Sequence, residues 1–536
     1  MSQSKPSDSH ERHDTRRWWA LAATAVTLLV IGLDTTILNV ALPDIAVSLD
    51  ASSAQLQWFA DSYLLMLGAL LLPAGLLGDR YGRKRFTLLG LGIFGIGSAW
   101  CAFATSALSL VAARILLGAG AAILIPLAMS SVVVLFEPQE RTKAIAMLSV
   151  STMIGLPLGP ILAGVLLQHY WWGSVFFVNL PVVAFALGAV AAFLPESTGA
   201  RGRRLDPVGI GLSSAGLLAA TYGVIEGPER GWRDPVVLAG LVGGLALLAG
   251  FVRSQRGDRG YEPVVDLALW REPAFRWGAF TAAVASLAFF GAMFVVPQYL
   301  RGVLGVDALG TGLRSVPMVV GLFVGLRLTM VALRRFGAKA LGVAGFVVGA
   351  LGFVLGTRVM VGSSYAVTGV WTFVVGAGVG GALFCGQNAA LGALPRERAA
   401  TGSALVQVLR QVGSVAGIAV LGALLNGIYR ASLPTAGVPP ELAAALGQNV
   451  STGVAAATHT GSLSLVAAVQ AAFVSGLSAT MWVSAAVCLF GALLVWSRLP
   501  DGRDMGSPEV AAGPLLEKTA ESPHAADSSA GQSGRH

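Results

Sequence analysis

The chain alternates long apolar runs with short polar segments, from Trp18 to Trp496. An α-helix needs roughly 20 apolar residues to cross a hydrocarbon core of about 30 Å. By that measure the pattern predicts fourteen spans: 18–42, 57–78, 86–105, 107–134, 142–167, 174–194, 207–226, 235–253, 274–300, 311–333, 340–360, 364–388, 399–428 and 474–497. The short alternating segments of a membrane barrel are not what the runs look like. The expected fold class is an all-α polytopic membrane protein.

The polar segments sort by charge. Of the 36 lysines and arginines, 27 fall in loops and tails on the N-terminal side, and five lie opposite, at Arg230, Arg233, Arg301, Arg358 and Arg430. An even number of spans puts both termini on one side, and this bias makes that side cytoplasmic. The first thirteen residues are polar and expected to be disordered. The first span carries an internal Asp and no small-residue cleavage site, so it is read as retained rather than as a signal peptide. The longest external loop is 429–473. Its stretch Pro440–Val469 reads either as an amphipathic surface helix or as a low-complexity linker. Residues 500–536 read as a disordered tail.

Composition agrees with the membrane reading, with 55% hydrophobic and 12% charged residues where soluble chains carry about 25% charged. The three cysteines lie within apolar runs and read as packing residues; none of the six histidines is mid-span, which argues against haem or a buried metal. There is no phosphate-binding Gly-x-x-x-x-Gly-Lys-Ser/Thr loop, so ATP-driven pumping by this chain alone is not expected. No cofactor is expected. The net charge of +8 is spread over membrane-flanking loops and is not a nucleic-acid signal.

Charges inside spans need a reason, because each costs about 2.5–3.5 kcal/mol on insertion scales. Asp34 is expected roughly 12 Å from the outer end of span 1, at 1.5 Å per residue. Arg114 lies at nearly the same depth in span 4, so an ion pair between them is geometrically reasonable, either as a static structural pair or, since buried ionisable residues default to function, with Asp34 as a proton-coupling or substrate residue. Asp61 is one turn into span 2. It reads either as wetted at the outer interface, or as facing an outward-open cavity with Trp58 and Tyr63. In such a cavity, a carboxylate beside aromatics attracts lipophilic cations and can take up a proton. Arg410 lies mid-way along span 13, with Gln387 and Asn388 late in span 12 as further cavity candidates.

Two segments stand out as motifs. The turn between spans 2 and 3 reads Gly75-Leu-Leu-Gly-Asp79-Arg80-Tyr-Gly82-Arg83-Lys84-Arg85. Its glycines permit close approach and tight turning, and its four cations follow a carboxylate that the helix dipole disfavours. An ordinary basic turn is the simpler alternative. Span 5 contains Gly155-Leu-Pro157-Leu-Gly159-Pro160-Ile-Leu-Ala-Gly164, which weakens helical hydrogen bonding and leaves a smooth face.

The turn resembles the loop between helices 2 and 3 of the major facilitator superfamily. Span 5 resembles the antiporter motif of that family's drug exporters, with Ala163 in place of one glycine. The run Leu110-x-x-x-Arg114-x-x-x-Gly118-x-Gly120 resembles its span 4 motif, with Leu117 where Gln is commoner. Together with Asp34 and Asp61, these residues place the resemblance with the fourteen-span drug:proton antiporters. The resemblance implies two six-helix bundles joined by two linking helices, here 18–194 and 274–499 with 195–273 between. It implies that the turn is a cytoplasmic gating latch and that Arg114 is linked to proton transfer. The basic turn after span 10, Arg334-Arg-Phe-Gly337-Ala-Lys339, stands where a second, weaker copy of the latch would be. The function implied is proton-coupled efflux of hydrophobic or cationic drugs from the bacterial cytoplasm, by a secondary transporter rather than an enzyme. The chain is expected to work as a monomer in the cytoplasmic membrane. Two alternatives stay open: a dedicated exporter of one self-made antibiotic, to which 31 Arg against 5 Lys point through a GC-rich source, and a non-transporting membrane ligand sensor.

Overall fold

The computed structural model describes residues 8–197, 204–255, 261–262, 267–392, 394, 399–434 and 438–500. The first helices are α1 (Asp8–Ser48), α2 (Ser53–Tyr81), α3 (Arg83–Ala102), α4 (Ala107–Leu135) and α5 (Pro138–His169). The single turn α6 (Ser174–Phe177) leads into α7 (Asn179–Phe193), followed by α8 (Pro207–Arg230) and α9 (Pro235–Ser254). Then come α10 (Pro273–Gly302), α11 (Ala308–Gly356), α12 (Tyr365–Gly392) and α13 (Ala399–Ser432). The chain closes with α14 (Pro440–Gln448), α15 (Val450–His459) and α16 (Leu463–Arg498). Two two-residue strands, Arg204–Leu205 and Tyr261–Glu262, pair in parallel.

Among the described residues, thirteen helical stretches are long and apolar enough to cross a membrane. The remaining expected span is α2, 29 residues long. α11 supplies two of the stretches. They meet at Gly337, whose φ of 76° reverses the chain in one residue. The same device joins α2 to α3 at Gly82, with φ 115°. Both reversals need a backbone conformation that L side chains resist. They lie at the end of the bundle where α1 begins, called the near side below.

Three boundaries differ from expectation. α1 starts at Asp8, inside the segment expected to be disordered, and runs past Pro43 to Ser48. Long membrane helices tolerate an internal proline when neighbours satisfy the freed backbone group. α16 begins at Leu463, eleven residues early, because Ser462 caps it by accepting from the Leu465 amide. The stretch Pro440–Val469 is neither one surface helix nor a linker: it holds α14, α15 and the start of α16. The tail at 501–536 lies outside the described residues.

Packing gives two bundles. α1 lies against α5 and α7, and α4 against α2 and α3; α10 lies against α12 and α13, and α11 against α12 and α16. The bundles meet where α5 packs on α11 and α2 on α13, while α8 rests on that second seam and α9 on α8. This is an all-α polytopic fold of two bundles with two linking helices.

Candidate functional site

Asp34 and Arg114 form an ion pair in the first bundle, with Arg114 Nη1 donating to Asp34 Oδ2 at 2.9 Å. Asp34 is 0% and Arg114 2% exposed. Because α1 continues to Ser48, Asp34 lies about 21 Å from the helix end at 1.5 Å per residue, deeper than expected. A buried pair needs further hydrogen bonds to its remaining atoms, and both members make them. Arg114 Nε donates to the Phe59 carbonyl at 2.9 Å, and the guanidinium lies 4.4 Å from the centre of the Tyr63 ring. Asn179 Nδ2 donates to Asp34 Oδ1 at 3.3 Å and to Ser98 Oγ at 3.1 Å; Ser98 in turn donates to the Phe176 carbonyl. Asn179 is the first residue of α7, just after the helical run breaks at Val178. With apolar Leu117 buried at the family's glutamine position, Arg114 keeps hydrogen bonds from Nε and Nη1. Asn179 and Ser98 escaped the sequence reading; their only signal is a neutral polar side chain inside an apolar run.

Asp61 is the opposite case. It is 0% exposed, and neither carboxylate oxygen has a hydrogen-bond partner. It shares a face of α2 with Gln57 and Gly68, which meet Gly422 and Gln411 of α13. At the intervening level of α13 stand buried, apolar Val415 and Ile418. Asp61 thus sits in the seam between the bundles, not at a wetted interface and not in an outward-open cavity.

The expected cluster of Trp58, Asp61 and Tyr63 does not form. At 100° per residue Tyr63 lies on the opposite side of α2 from Trp58 and Asp61, which are about 60° apart. Trp58 Nε1 donates to Glu226 Oε1 of α8 at 3.3 Å, and Tyr63 packs under Arg114. Arg410 is partly buried on α13. Its Nε donates to Ser286 Oγ of α10 at 3.4 Å and its Nη1 to Gln407 Oε1 at 3.0 Å. Its hydrogen bonds do not go to Gln387 or Asn388 of α12, and Asn388 is exposed.

The turn at Gly82 is seated on the end of the first bundle. The Lys84 amide donates to Glu196 Oε1 at 3.2 Å, Lys84 Nζ to the Ala191 carbonyl at 2.6 Å, and the Arg83 amide to the Ser197 carbonyl. Arg85 pairs with Glu196 at 3.5 Å on the surface, and Arg80 is exposed. Gly75 and Gly78 lie against Pro126 and Leu127 of α4. The Asp79 side chain lies outside the described residues. In α5, Gly155 and Gly159 lie against α1, and Gly164 against Leu309 of α11. A Cβ on Gly159 would come within 2.1 Å of Thr36 Oγ1. Pro157 and Pro160 stay within one continuous helix.

The far side is closed by contacts that cross between the bundles. Asp44 of α1 pairs with Arg301 of α10. Asn449, the N-cap of α15, donates to the Ala51 carbonyl at 2.7 Å, and Ser53 Oγ donates to the Gln448 carbonyl at 2.7 Å. Tyr429 of α13 holds the same segment through the Leu446 carbonyl at 2.6 Å. A surface cleft of about 520 Å³ lies beside the Asp44–Arg301 pair.

A family model described as Major Facilitator Superfamily matches residues 24–418. The chain belongs to the Major Facilitator Superfamily. It is thus a multi-pass bacterial membrane transporter and not an enzyme. Two curated relatives resemble it over nearly their whole lengths. The multidrug efflux pump LfrA of Mycolicibacterium smegmatis is 32% identical over 91% of this chain and 97% of its own. The tetracenomycin C resistance and export protein of Streptomyces glaucescens is 31% identical over 92% of this chain and 94% of its own. Among solved structures, a bacterial homologue of the human lysosomal transporter Spinster, in an inward-facing and unoccupied conformation, superposes with a TM-score of 0.63. It covers 92% of this chain and 97% of its own at 20% identity.

Proposed function

We propose that the chain exports hydrophobic drugs or antibiotics, cationic ones included, across the bacterial cytoplasmic membrane by proton-driven alternating access. The near side is then cytoplasmic, as the lysine and arginine distribution requires, and the Gly82 turn is the cytoplasmic latch. Residues 18–194 and 274–499 are the two moving bodies, with 195–273 linking them. The working unit is a monomer.

One observation carries the proton coupling: Asp61 is wholly buried in the seam between the bundles with no partner for either oxygen. A bare carboxylate there would be an uncompensated charge in a medium that penalises it heavily; a carboxylic acid would not. Separating α2 from α13 at the far side would wet Asp61 and let it exchange its proton with the outside. Closing that seam then carries the proton inward. Asp34 and Arg114 supply a second carboxylate whose charge is matched in the closed state. At about 150 mV one entering charge yields about 3.5 kcal/mol, enough for a gradient of a few hundredfold in a neutral drug; a monovalent cation requires a second proton or a pH gradient.

Everted vesicles loaded with acid and an interior pH probe test this reading. Adding lipophilic cations, then neutral and anionic antibiotics, should release protons, and Asp61→Asn should silence that release. A wild-type protein that releases no protons with any of them overturns it. The Streptomyces glaucescens relative favours a second reading, a dedicated exporter of one antibiotic; release confined to a single compound class would select it.

A further inference from the structure

We infer that Arg410 is an anion-binding corner of the transport path, through which the protein accepts amphiphilic compounds bearing a carboxylate or phenolate. The inference rests on the export reading for its setting and adds a substrate class to it.

Arg114 in the first bundle and Arg410 in the second both lie within spans and are turned toward the protein, unlike the exposed Arg327 of α11, and the two are treated differently. Arg114 has Asp34 at 2.9 Å. Arg410 has two neutral partners, Ser286 Oγ at 3.4 Å and Gln407 Oε1 at 3.0 Å. Among the described residues no carboxylate lies within ion-pair distance of it. A guanidinium offers five N–H donors in a fixed fork that matches a carboxylate. Two of its three nitrogens are occupied by dipoles, and its charge is left unanswered.

Its position on α13 points the same way. Gly413 and Gly417 of that helix lie against Ala283 and Leu287 of α10, and Gln411 lies against Gly68 of α2. At 100° per residue Arg410 falls between these two faces, so it borders the gap between α10 of one bundle and α2 of the other. That gap is the seam where a substrate passes, not the lipid face. Arg410 is also eleven residues, about 16 Å, from the near end of α13 at Ala399. Its hydrogen bonds to Ser286 and Gln407 turn the guanidinium into the protein rather than toward the bilayer surface. A positive corner in this seam favours an acidic group on a ligand whose apolar body lies in the passage, and repels cations locally. Cationic and acidic substrates are then separated by the half of the protein they engage, Asp61 on α2 or Arg410 on α13.

The test uses matched ligands on the purified full-length protein in nanodiscs. The probes are a rhodamine with a free carboxylate and its methyl ester, with two further aryl carboxylic acids and their esters, followed by fluorescence anisotropy or displacement. The wild type should bind each acid more tightly than its ester. Arg410→Gln should weaken the acids on the order of 10- to 100-fold, the range for a hydrogen bond to a charged group, and leave the esters unchanged. Arg410→Lys should retain part of the preference. Gln407→Glu places a built-in carboxylate beside the guanidinium and should expel the acids while leaving ester affinity and thermal stability intact. Failure of the acids to bind the wild type in preference to their esters overturns the proposal. So does an equal loss for acid and ester in Arg410→Gln, which would mark a structural role. Acid preference without drug-driven proton release in vesicles would keep this subsite and discard the export reading.

Discussion

The hydroxyl of Thr36 in α1 donates to the carbonyl of Leu156 in α5 at 2.9 Å. That carbonyl is four residues before Pro160, which has no N–H to offer it. The antiporter motif thus creates an orphan acceptor inside the membrane, and the neighbouring helix answers it. Gly159 makes room for the answer, since a methyl there would strike Thr36 Oγ1. Thr36→Val should lower stability by about 0.6–2 kcal/mol, the range for hydrogen bonds between membrane helices, and Thr36→Ser should not. Thermal unfolding in detergent reads the difference. Equal melting temperatures for the two variants would remove Thr36 from this role.

The Asp34–Arg114 pair makes a sharper prediction. Removing one partner leaves the other charge buried, which costs about 3–5 kcal/mol. Arg114→Gln alone should therefore fold poorly. The double variant Asp34→Asn/Arg114→Gln should regain much of the lost stability without regaining transport. A double variant that transports normally would show the pair to be a structural brace only.

Asp61 should behave in the reverse way. It has no partner to lose, so Asp61→Asn is expected to melt at or above the wild-type temperature. Drug-triggered proton release from vesicles should nevertheless disappear. Retained release would move the coupling site elsewhere.

The far-side clasp can be read by labelling. The three native cysteines, Cys101, Cys385 and Cys488, are buried and give a low background. A cysteine placed at Gln57, itself 1% exposed beneath the α14–α15 segment, should react slowly with a membrane-impermeant maleimide added from outside intact cells. Asp44→Ala or Asn449→Ala removes a contact between the bundles and should speed that reaction several-fold. No acceleration would mean that neither contact holds the far side shut.

The sequence made the span pattern legible because about 20 consecutive apolar residues leave few other readings. Asp34 and Arg114 could be paired in advance because a charge within a span demands an explanation and each was the other's best one. Asn179 could not, since a neutral amide in an apolar run raises no comparable alarm. Trp58, Asp61 and Tyr63 are close in sequence, yet the helical period puts Tyr63 on the opposite side of α2, under Arg114, while Trp58 bonds to α8 and Asp61 turns to the α13 seam. Glu196 lies more than a hundred residues beyond the Gly82 turn it braces. Reading that contact required knowing that α7 ends where α2 turns into α3. The loop before α16 reads equally as a surface helix or a linker because its order comes from Asn449 and Tyr429 gripping backbone carbonyls, which no composition signals.

Gly82 and Gly337 leave no slack between the helices they join. A connection of one residue cannot stretch, so α2 with α3, and the two arms of α11, must travel as stiff hairpins. Whatever tilt parts α2 from α13 is transmitted to α3 on the other side of its bundle, and likewise the arm of α11 that rests on α5 carries its partner arm along. The near-side reversals therefore act as rigid elbows, and slack is left to the opposite surface, where α14 and α15 form a long tether between α13 and α16.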